Sequence, residues 1–211
     1  DELDRIVQQQ HYRLAFWKAG VHETNYRRFF AIDTLIGLRM ENAEVFEECH
    51  TLLAELVRGG IVTGVRIDHV DGLRDPKQYL ARLQGLAGGG PRDVTKPLYV
   101  LVEKILEDDE QLPNDWATHG TTGYEFIAQL AGLLVDARSE RRFTNTYAAF
   151  CGETASFDDV VYEKKRLVLE EMFANAVTRL AHDLADLLRI DRRWRDVTRN
   201  ELTVAVREIM A

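Results

Sequence analysis

Long apolar segments are missing from this chain of 211 residues, which contains no run of eighteen apolar residues. A membrane-spanning helix needs about 20 of them, so we expect none here. Basic residues are also scarce, because 27 Lys and Arg stand against 35 Asp and Glu, a formal net charge of -8. That charge has the wrong sign for a protein that binds phosphate backbones or anionic lipid. We therefore expect no nucleic-acid partner and no membrane partner.

Cysteine is nearly absent, since Cys49 and Cys151 are the only two in the chain. Each lies in a segment with helical apolar periodicity, and this favours buried free thiols over a disulfide scaffold. The first residues also lack the basic and then apolar pattern of a signal peptide. Both absences predict a cytoplasmic protein.

Apolar residues make up 45% of the chain and charged residues 29%, which is typical of a globular protein. A helix is predicted after Asn42, a good N-cap, and another one begins at Asp75-Pro76. Residues 61–68 and 97–103 predict strands, because they are rich in β-branched and other apolar residues. Helix, strand, helix and strand in this order favour a parallel sheet of βαβ units. A third strand is predicted around 29–36.

The pattern becomes helical from about Tyr124 onward, so we expect an α/β fold with predominant helix. Helical periodicity covers 126–135, 143–150 and a long stretch, 157–188, and Thr198 with Glu201 predicts a capping box. The long stretch carries an apolar seam that we expect to be buried: Phe173, Val177, Leu180, Leu184 and Leu187. The last helical pattern continues to the final residue and the chain lacks an initiator Met, so we expect a piece of a longer protein.

Two opposite charges, Arg66 and Asp68, stand in a strand that is otherwise built for burial. A spacing of two places both on one face of the strand. At the carboxyl end of a parallel strand, an Arg in that position can hold a carboxylate ionised and aligned. The alternative is a structural ion pair that is followed by a turn at Asp71-Gly72.

A second carboxylate, Glu103, ends the next predicted strand in the same topological place as Asp68. Parallel strand ends meet at one edge of a sheet, so the two carboxyl groups are expected to lie close together. Retaining glycosidases need such a pair about 5 to 5.5 Å apart, with one group as nucleophile and one as acid and then base. The alternative is a strand-end acid that pairs with Lys104.

Several stretches resemble the α-amylase superfamily, glycoside hydrolase family 13, and within it the maltooligosyltrehalose synthases. Residues 64–73 (GVRIDHVDGL) and 102–106 (VEKIL) are similar to the strands that carry the nucleophile and the acid/base in that family. Further similar stretches are 10–17, 25–30 and 120–126, and the helical remainder, including 162–169, resembles the family's helical insertion.

The resemblance implies a (β/α)₈ barrel enzyme of trehalose biosynthesis with a retaining mechanism and no metal or other cofactor. Such an enzyme converts the reducing-end α-1,4 linkage of a maltooligosaccharide into an α,α-1,1 linkage by intramolecular transglycosylation. The resemblance makes Asp68 the nucleophile and Glu103 the acid/base. It places further residues at the substrate: Arg66, His69, Lys104 and Tyr124. The Tyr26–Phe30 cluster is a candidate stacking platform, with ordinary packing as the alternative for Phe29 and Phe30.

Two family motifs are absent from the sequence, namely a third catalytic Asp on a later strand and an Asn-His motif on an early one. The resemblance therefore implies an internal fragment, whose partner is the rest of the parent chain and which is inactive alone. Residues 1–125 would be a partial catalytic barrel segment, and residues 126–211 a helical insertion subdomain.

Other functions fit parts of the sequence. A 4-α-glucanotransferase shares the Arg-x-Asp-His-x-x-Gly strand, but the downstream helical block argues against it. An amylase-type glycosidase is a further alternative. A metal-dependent phosphohydrolase would use Asp68, His69 and Asp71 as ligands, although such neighbouring residues do not all face one ion. A non-enzymatic helical interaction module would use the seam in 157–188 and leaves the two carboxylate strands unexplained.

Overall fold

The computed structural model describes residues 2–30, 32–88, 97–107, 110–152 and 155–211. They form two compact units. We call Arg27–Arg142 the strand unit, and the residues up to Tyr26 together with Phe143–Ala211 the helical unit. The division predicted at residue 125 stays a prediction, and these units divide the chain at other positions.

Helices dominate the described residues, which agrees with the predicted predominance of helix. The α-helices are α1 (Glu2–Gln8), α2 (Gly20–Glu23), α3 (Ala43–Arg58), α4 (Pro76–Gly85), α5 (Tyr124–Leu133), α6 (Glu140–Cys151), α7 (Phe157–Glu171), α8 (Ala174–Leu188) and α9 (Arg199–Met210). The strands are β1 (Gly64–Ile67) and β2 (Tyr99–Val102).

Local capping explains where the helices of the strand unit begin. The Asn42 side chain accepts a hydrogen bond from the backbone N–H of Glu44 at 2.9 Å, so α3 starts immediately after it. Asp75 accepts from the backbone N–H of Gln78 at 2.8 Å, and Pro76 occupies the first turn of α4. Both helix starts were predicted from the sequence and are confirmed.

The two strands pair in parallel, with Gly64 opposite Tyr99 and Ile67 opposite Val102. Both predicted strands are therefore found, each shorter than its apolar run. The other edge of β2 is covered by residues 119–122, since Thr122 donates its backbone N–H to the carbonyl oxygen of Val102 at 3.0 Å. β2 is thus paired along both edges. Its nearly continuous apolar sequence predicted cover on both faces, but Tyr99 is 51% exposed while Val100 and Val102 are buried, so only one face is fully covered.

The third strand predicted around residues 29–36 does not join this sheet in the described part of the chain. Arg28 and Ile36 instead form an isolated antiparallel bridge, so the segment folds back on itself as a narrow loop. Phe30 adopts a left-handed φ of 52°, which is incompatible with a continuous strand. The apolar residues of this segment suggested a strand, but its backbone turns.

The core of the strand unit lies between α3, α4 and β2. α3 contributes one stripe at helical spacing, and β2 with the residue before it contributes every second side chain. Fully buried members are Val57, Val70, Leu80, Leu83, Leu98, Val100 and Val102. This core fixes the relative positions of the strands and therefore of the residues that follow them.

Leu80→Ala is expected to destabilise the protein by about 2 to 5 kcal/mol, because Leu80 is fully buried and its truncation leaves a cavity. The free energy of unfolding from urea titration measures the effect. Leu52→Ala is the matched control, since Leu52 lies on the outer face of α3 and is 67% exposed. Equal losses for the two variants would contradict this packing.

The helical unit contains the long predicted helix as two helices, α7 and α8, with a break at Met172 and Phe173. α8 packs against α9, whose first turn has the predicted capping box of Thr198 and Glu201. The prediction that the apolar seam is buried was only partly right. Val177 is buried, whereas Leu180 and Leu187 are exposed.

The reason for this difference is the helical period. The buried face of α8 follows Val177 to Ala181, a step of four, and this turns Leu180 away from the packed side. The thiols were also predicted wrongly, since Cys49 and Cys151 are both exposed. Cys49 lies off the buried stripe of α3, which runs through Phe46, His50 and Ala54.

Candidate active site

The two candidate catalytic carboxylates follow the last paired residues of the parallel strands. Ile67 and Val102 are register partners, so Asp68 and Glu103 leave the sheet at the same edge. The backbone N–H of Glu103 donates to the carbonyl oxygen of Ile67 at 2.7 Å, and this continues the pairing by one residue. The carboxyl ends of adjacent parallel strands thus bring both acids to one place.

Asp68 is held by Arg66 through a two-point contact. Arg66 Nε lies 2.9 Å from one carboxylate oxygen of Asp68, and Nη2 lies 2.9 Å from the other. The planar guanidinium matches the carboxylate in this arrangement and fixes its orientation. Asp68 remains exposed, so its carboxylate is accessible from solvent. Such a group can act as an oriented anionic nucleophile.

Glu103 is fixed by two different groups. The backbone N–H of His69 donates to its Oε2 at 2.9 Å, and the Tyr124 hydroxyl donates to Oε1 in a longer contact of 3.4 Å. Tyr124 is the first residue of α5, which follows the segment paired with β2. Contacts thus join Glu103 to His69 and Tyr124, and the Asp68–Arg66 pair leaves the sheet at the same edge.

His69 follows Asp68 in the left-handed region, with φ 53° and ψ 47°, and opens a single 3₁₀ turn at Val70–Gly72. Its ring stacks on Phe30 at 4.2 Å between centroids and meets the edge of Phe29 at 5.1 Å. The predicted aromatic cluster therefore contacts His69 through Phe29 and Phe30. From the sequence, Gly72 was predicted only to lie in a turn.

Lys104 points toward two acidic residues in the loops that follow the strands. Its Nζ lies 2.7 Å from Glu110 and 3.4 Å from Asp71, and its side chain is only 12% exposed. The Glu110 carboxylate raises the pKa of Lys104, and Lys104 lowers the pKa of Glu110 in turn. The substrate contact of Lys104 stays a prediction, while these contacts make it a link between two loops. No sequence signal identified Glu110.

The Lys104–Glu110 pair is expected to stabilise the fold only while both groups are charged. The contribution of Glu110, whose pKa is lowered, is present above its ordinary value of 4.5 and is lost as the pH falls through its folded value. The contribution of Lys104, whose pKa is raised, is present below 10.5 and is lost as the pH rises through its folded value.

A double-mutant cycle of Lys104→Met and Glu110→Gln measures this coupling from unfolding free energies. We expect a favourable coupling at pH 7 that shrinks below about pH 4.5. A coupling that is the same at pH 7 and pH 3 would contradict the ion pair.

The described residues, 2–30, 32–88, 97–107, 110–152 and 155–211, also bear on metal and membrane sites. In these ranges no group of three or more His, Cys, Asp or Glu side chains is arranged to hold a metal ion. The candidate ligands Asp68, His69 and Asp71 form no such group. None of the helices in the described part of the chain is long and apolar enough to cross a membrane.

The chain is similar to known proteins along most of its length. No family model matches the chain. A Mycobacterium tuberculosis protein that carries the name maltooligosyl trehalose synthase is 38% identical over 188 residues, which is 89% of this chain. The resemblance to maltooligosyltrehalose synthases is confirmed.

Solved structures of maltooligosyltrehalose synthases extend this similarity to the fold. The Arthrobacter ramosus maltooligosyltrehalose synthase superimposes with a TM-score of 0.77 and 37% identity, over 86% of this chain and 23% of that one. The DSM5389 glycosyltrehalose synthase gives a TM-score of 0.75 and 39% identity, over 87% of this chain and 24% of that one. The chain spans about 22% of the length of the curated relatives it matches.

Proposed function

We propose that this chain is a segment of a maltooligosyltrehalose synthase and that it supplies the nucleophile and the acid/base of the whole enzyme. The observation that carries the proposal is the placement of Asp68 and Glu103 after register partners of adjacent parallel strands. The relatives that match most of the chain carry the name of that enzyme, which favours this function over other glycosidases. The strands β1 and β2 would then be part of a (β/α)₈ barrel in a cytoplasmic enzyme.

The first chemical step would cleave the reducing-end α-1,4 linkage of a maltooligosaccharide. Glu103 donates its proton to the glycosidic oxygen as the bond between that oxygen and the anomeric carbon breaks. Asp68 attacks the same carbon and forms a covalent ester with the rest of the oligosaccharide. Arg66 keeps the attacking carboxylate aligned through its two-point contact.

The second step would reverse these roles on the released glucose. Glu103, now ionised, takes the proton from the anomeric hydroxyl of that glucose, whose oxygen attacks the anomeric carbon of the bound oligosaccharide. The bond to Asp68 breaks, an α,α-1,1 linkage forms, and both carboxyl groups return to their starting states. Two inversions at one carbon give net retention. The glucose must stay bound between the steps, because water would otherwise hydrolyse the ester.

The test is made on the full-length protein that contains this chain, with maltopentaose as substrate. The proposed isomerisation removes reducing ends without a matching release of glucose. A rise in reducing ends would instead identify an amylase-type glycosidase. Redistribution of chain lengths at constant reducing ends would identify a 4-α-glucanotransferase.

A further inference from the structure

Two residues with a left-handed backbone conformation are in contact with each other beside Glu103. Within the described ranges, Phe30 and His69 are the non-glycine residues with a positive φ, at 52° and 53°. They lie far apart in the sequence, yet their rings stack with an interplanar angle of 15°. Left-handed backbone is unfavourable for residues with a Cβ, and it persists where neighbouring groups fix it, often at functional sites.

The surroundings of His69 fix it from several sides. Phe29 contacts both rings of the stack edge-on. Its ring centroid lies 4.6 Å from that of Phe30 and 5.1 Å from that of His69. Gly72 closes the turn below the ring, and a Cβ on Gly72 would lie 2.7 Å from ring atoms of His69. Arg27 donates a hydrogen bond to the Gly72 carbonyl oxygen at 2.8 Å, which ties the turn to the loop that carries Phe30.

The His69 ring itself makes no described hydrogen bond to either carboxylate, whereas its backbone N–H donates to Glu103 Oε2 at 2.9 Å. The direction of that N–H depends on the backbone conformation at Asp68 and His69. Anything that holds the ring of His69 in the stack therefore also holds the donor that orients Glu103. Phe30 is about half exposed, and its ring is the one that stacks on the His69 ring.

We propose that Phe30 is a positioning residue for Glu103, which it orients by clamping the His69 ring and thereby the left-handed turn whose N–H binds the carboxylate. The inference rests on the proposed function for the role of Glu103. It differs from a sugar-stacking role for Phe30, which would act directly on substrate affinity.

The two roles predict different kinetic changes in the full-length protein. Phe30→Ala should lower kcat on the order of 10²-fold, because a misplaced acid/base slows the chemistry whether or not the displaced His69 ring also changes KM. Phe30→Tyr keeps a ring for the stack and should retain the kcat of the unmodified protein. A raised KM at unchanged kcat in Phe30→Ala would overturn the inference and assign the ring to the sugar.

Gly72→Ala tests the same turn from its other side. The added methyl group must displace the His69 ring, so kcat should fall as it does in Phe30→Ala. Gly85→Ala is the matched control, since a Cβ there meets nothing within 4 Å among the described residues. The double variant Phe30→Ala/Gly72→Ala should be no slower than the slower single variant, because both act through one ring. Additive losses would overturn the shared route.

An NMR readout separates this inference from the proposed reaction. In protein labelled with ¹⁵N-histidine, the His69 amide proton should exchange faster with solvent in Phe30→Ala and keep its slow exchange in Phe30→Tyr. An unchanged His69 amide in a folded Phe30→Ala variant overturns the inference, whatever reaction the protein catalyses. Loss of the amide contact in Phe30→Ala in a protein that does not isomerise maltopentaose supports the clamp and overturns only the proposed function.

Discussion

Asp68→Asn is expected to abolish turnover of maltooligosaccharides by the full-length protein, with a loss on the order of 10⁴-fold or more in kcat. An amide cannot form the ester that holds the oligosaccharide between the two steps. Arg66 lies at 2.9 Å from both oxygens of Asp68, which would orient the carboxylate for the proposed attack. Disappearance of reducing ends from maltopentaose measures the rate.

The control for this variant is Asp183→Asn, which makes the same chemical change on the exposed face of α8. It should leave kcat and KM unchanged. Circular dichroism should show that both variants are folded, since Asp68 is exposed and contributes little to the core. Substantial conversion by a folded Asp68→Asn protein would show that another residue is the nucleophile.

Glu103→Gln is expected to lower kcat by about 10² to 10⁴-fold, the range typical of lost general acid–base catalysis. The amide can still accept the N–H of His69 at Oε, so the fold of the site should survive. It cannot protonate the departing oxygen. The first step should therefore be rescued by an α-maltooligosyl fluoride, because fluoride leaves without a proton.

The expected result for Glu103→Gln is a burst of about one fluoride ion per active site, followed by slow turnover, because the second step still needs a base. Glu107→Gln lies four residues further along the chain and is the matched control, with unchanged rates on both substrates. If Glu103→Gln used maltopentaose as well as the fluoride, Glu103 would not be the acid. Absence of a burst would place the loss in the first step for both substrates.

The features that the sequence predicted correctly depend on interactions between near neighbours. Asn42, Asp75 and Thr198 cap their own helices within three residues, so their helix starts can be recognised without any knowledge of the fold. Arg66 and Asp68 meet because a spacing of two places them on one face of a strand. To predict that Glu103 approaches this site, one further inference was needed, namely that two apolar strands pair in parallel.

The features that the sequence did not predict depend on groups that lie far apart along the chain. Leu180 fits an apolar repeat, yet only the packing of α8 against its neighbours decides that Val177 is buried and Leu180 is not. Cys49 is exposed for the same reason on α3. The segment after Arg28 has the composition of a strand and turns back instead, since Phe30 is held in a left-handed conformation.

The sequence by itself determined the helices, the two strands and the pair of acids that end them, because these follow from periodicity, capping and strand alternation. The tertiary structure alone decided what surrounds the acids. Lys104 turns to Glu110 and Asp71, and the stack of Phe30 on His69 accompanies the backbone N–H that binds Glu103. These contacts join residues between six and about forty positions apart along the chain. No local pattern encodes them, since they form only when the core has brought the loops together.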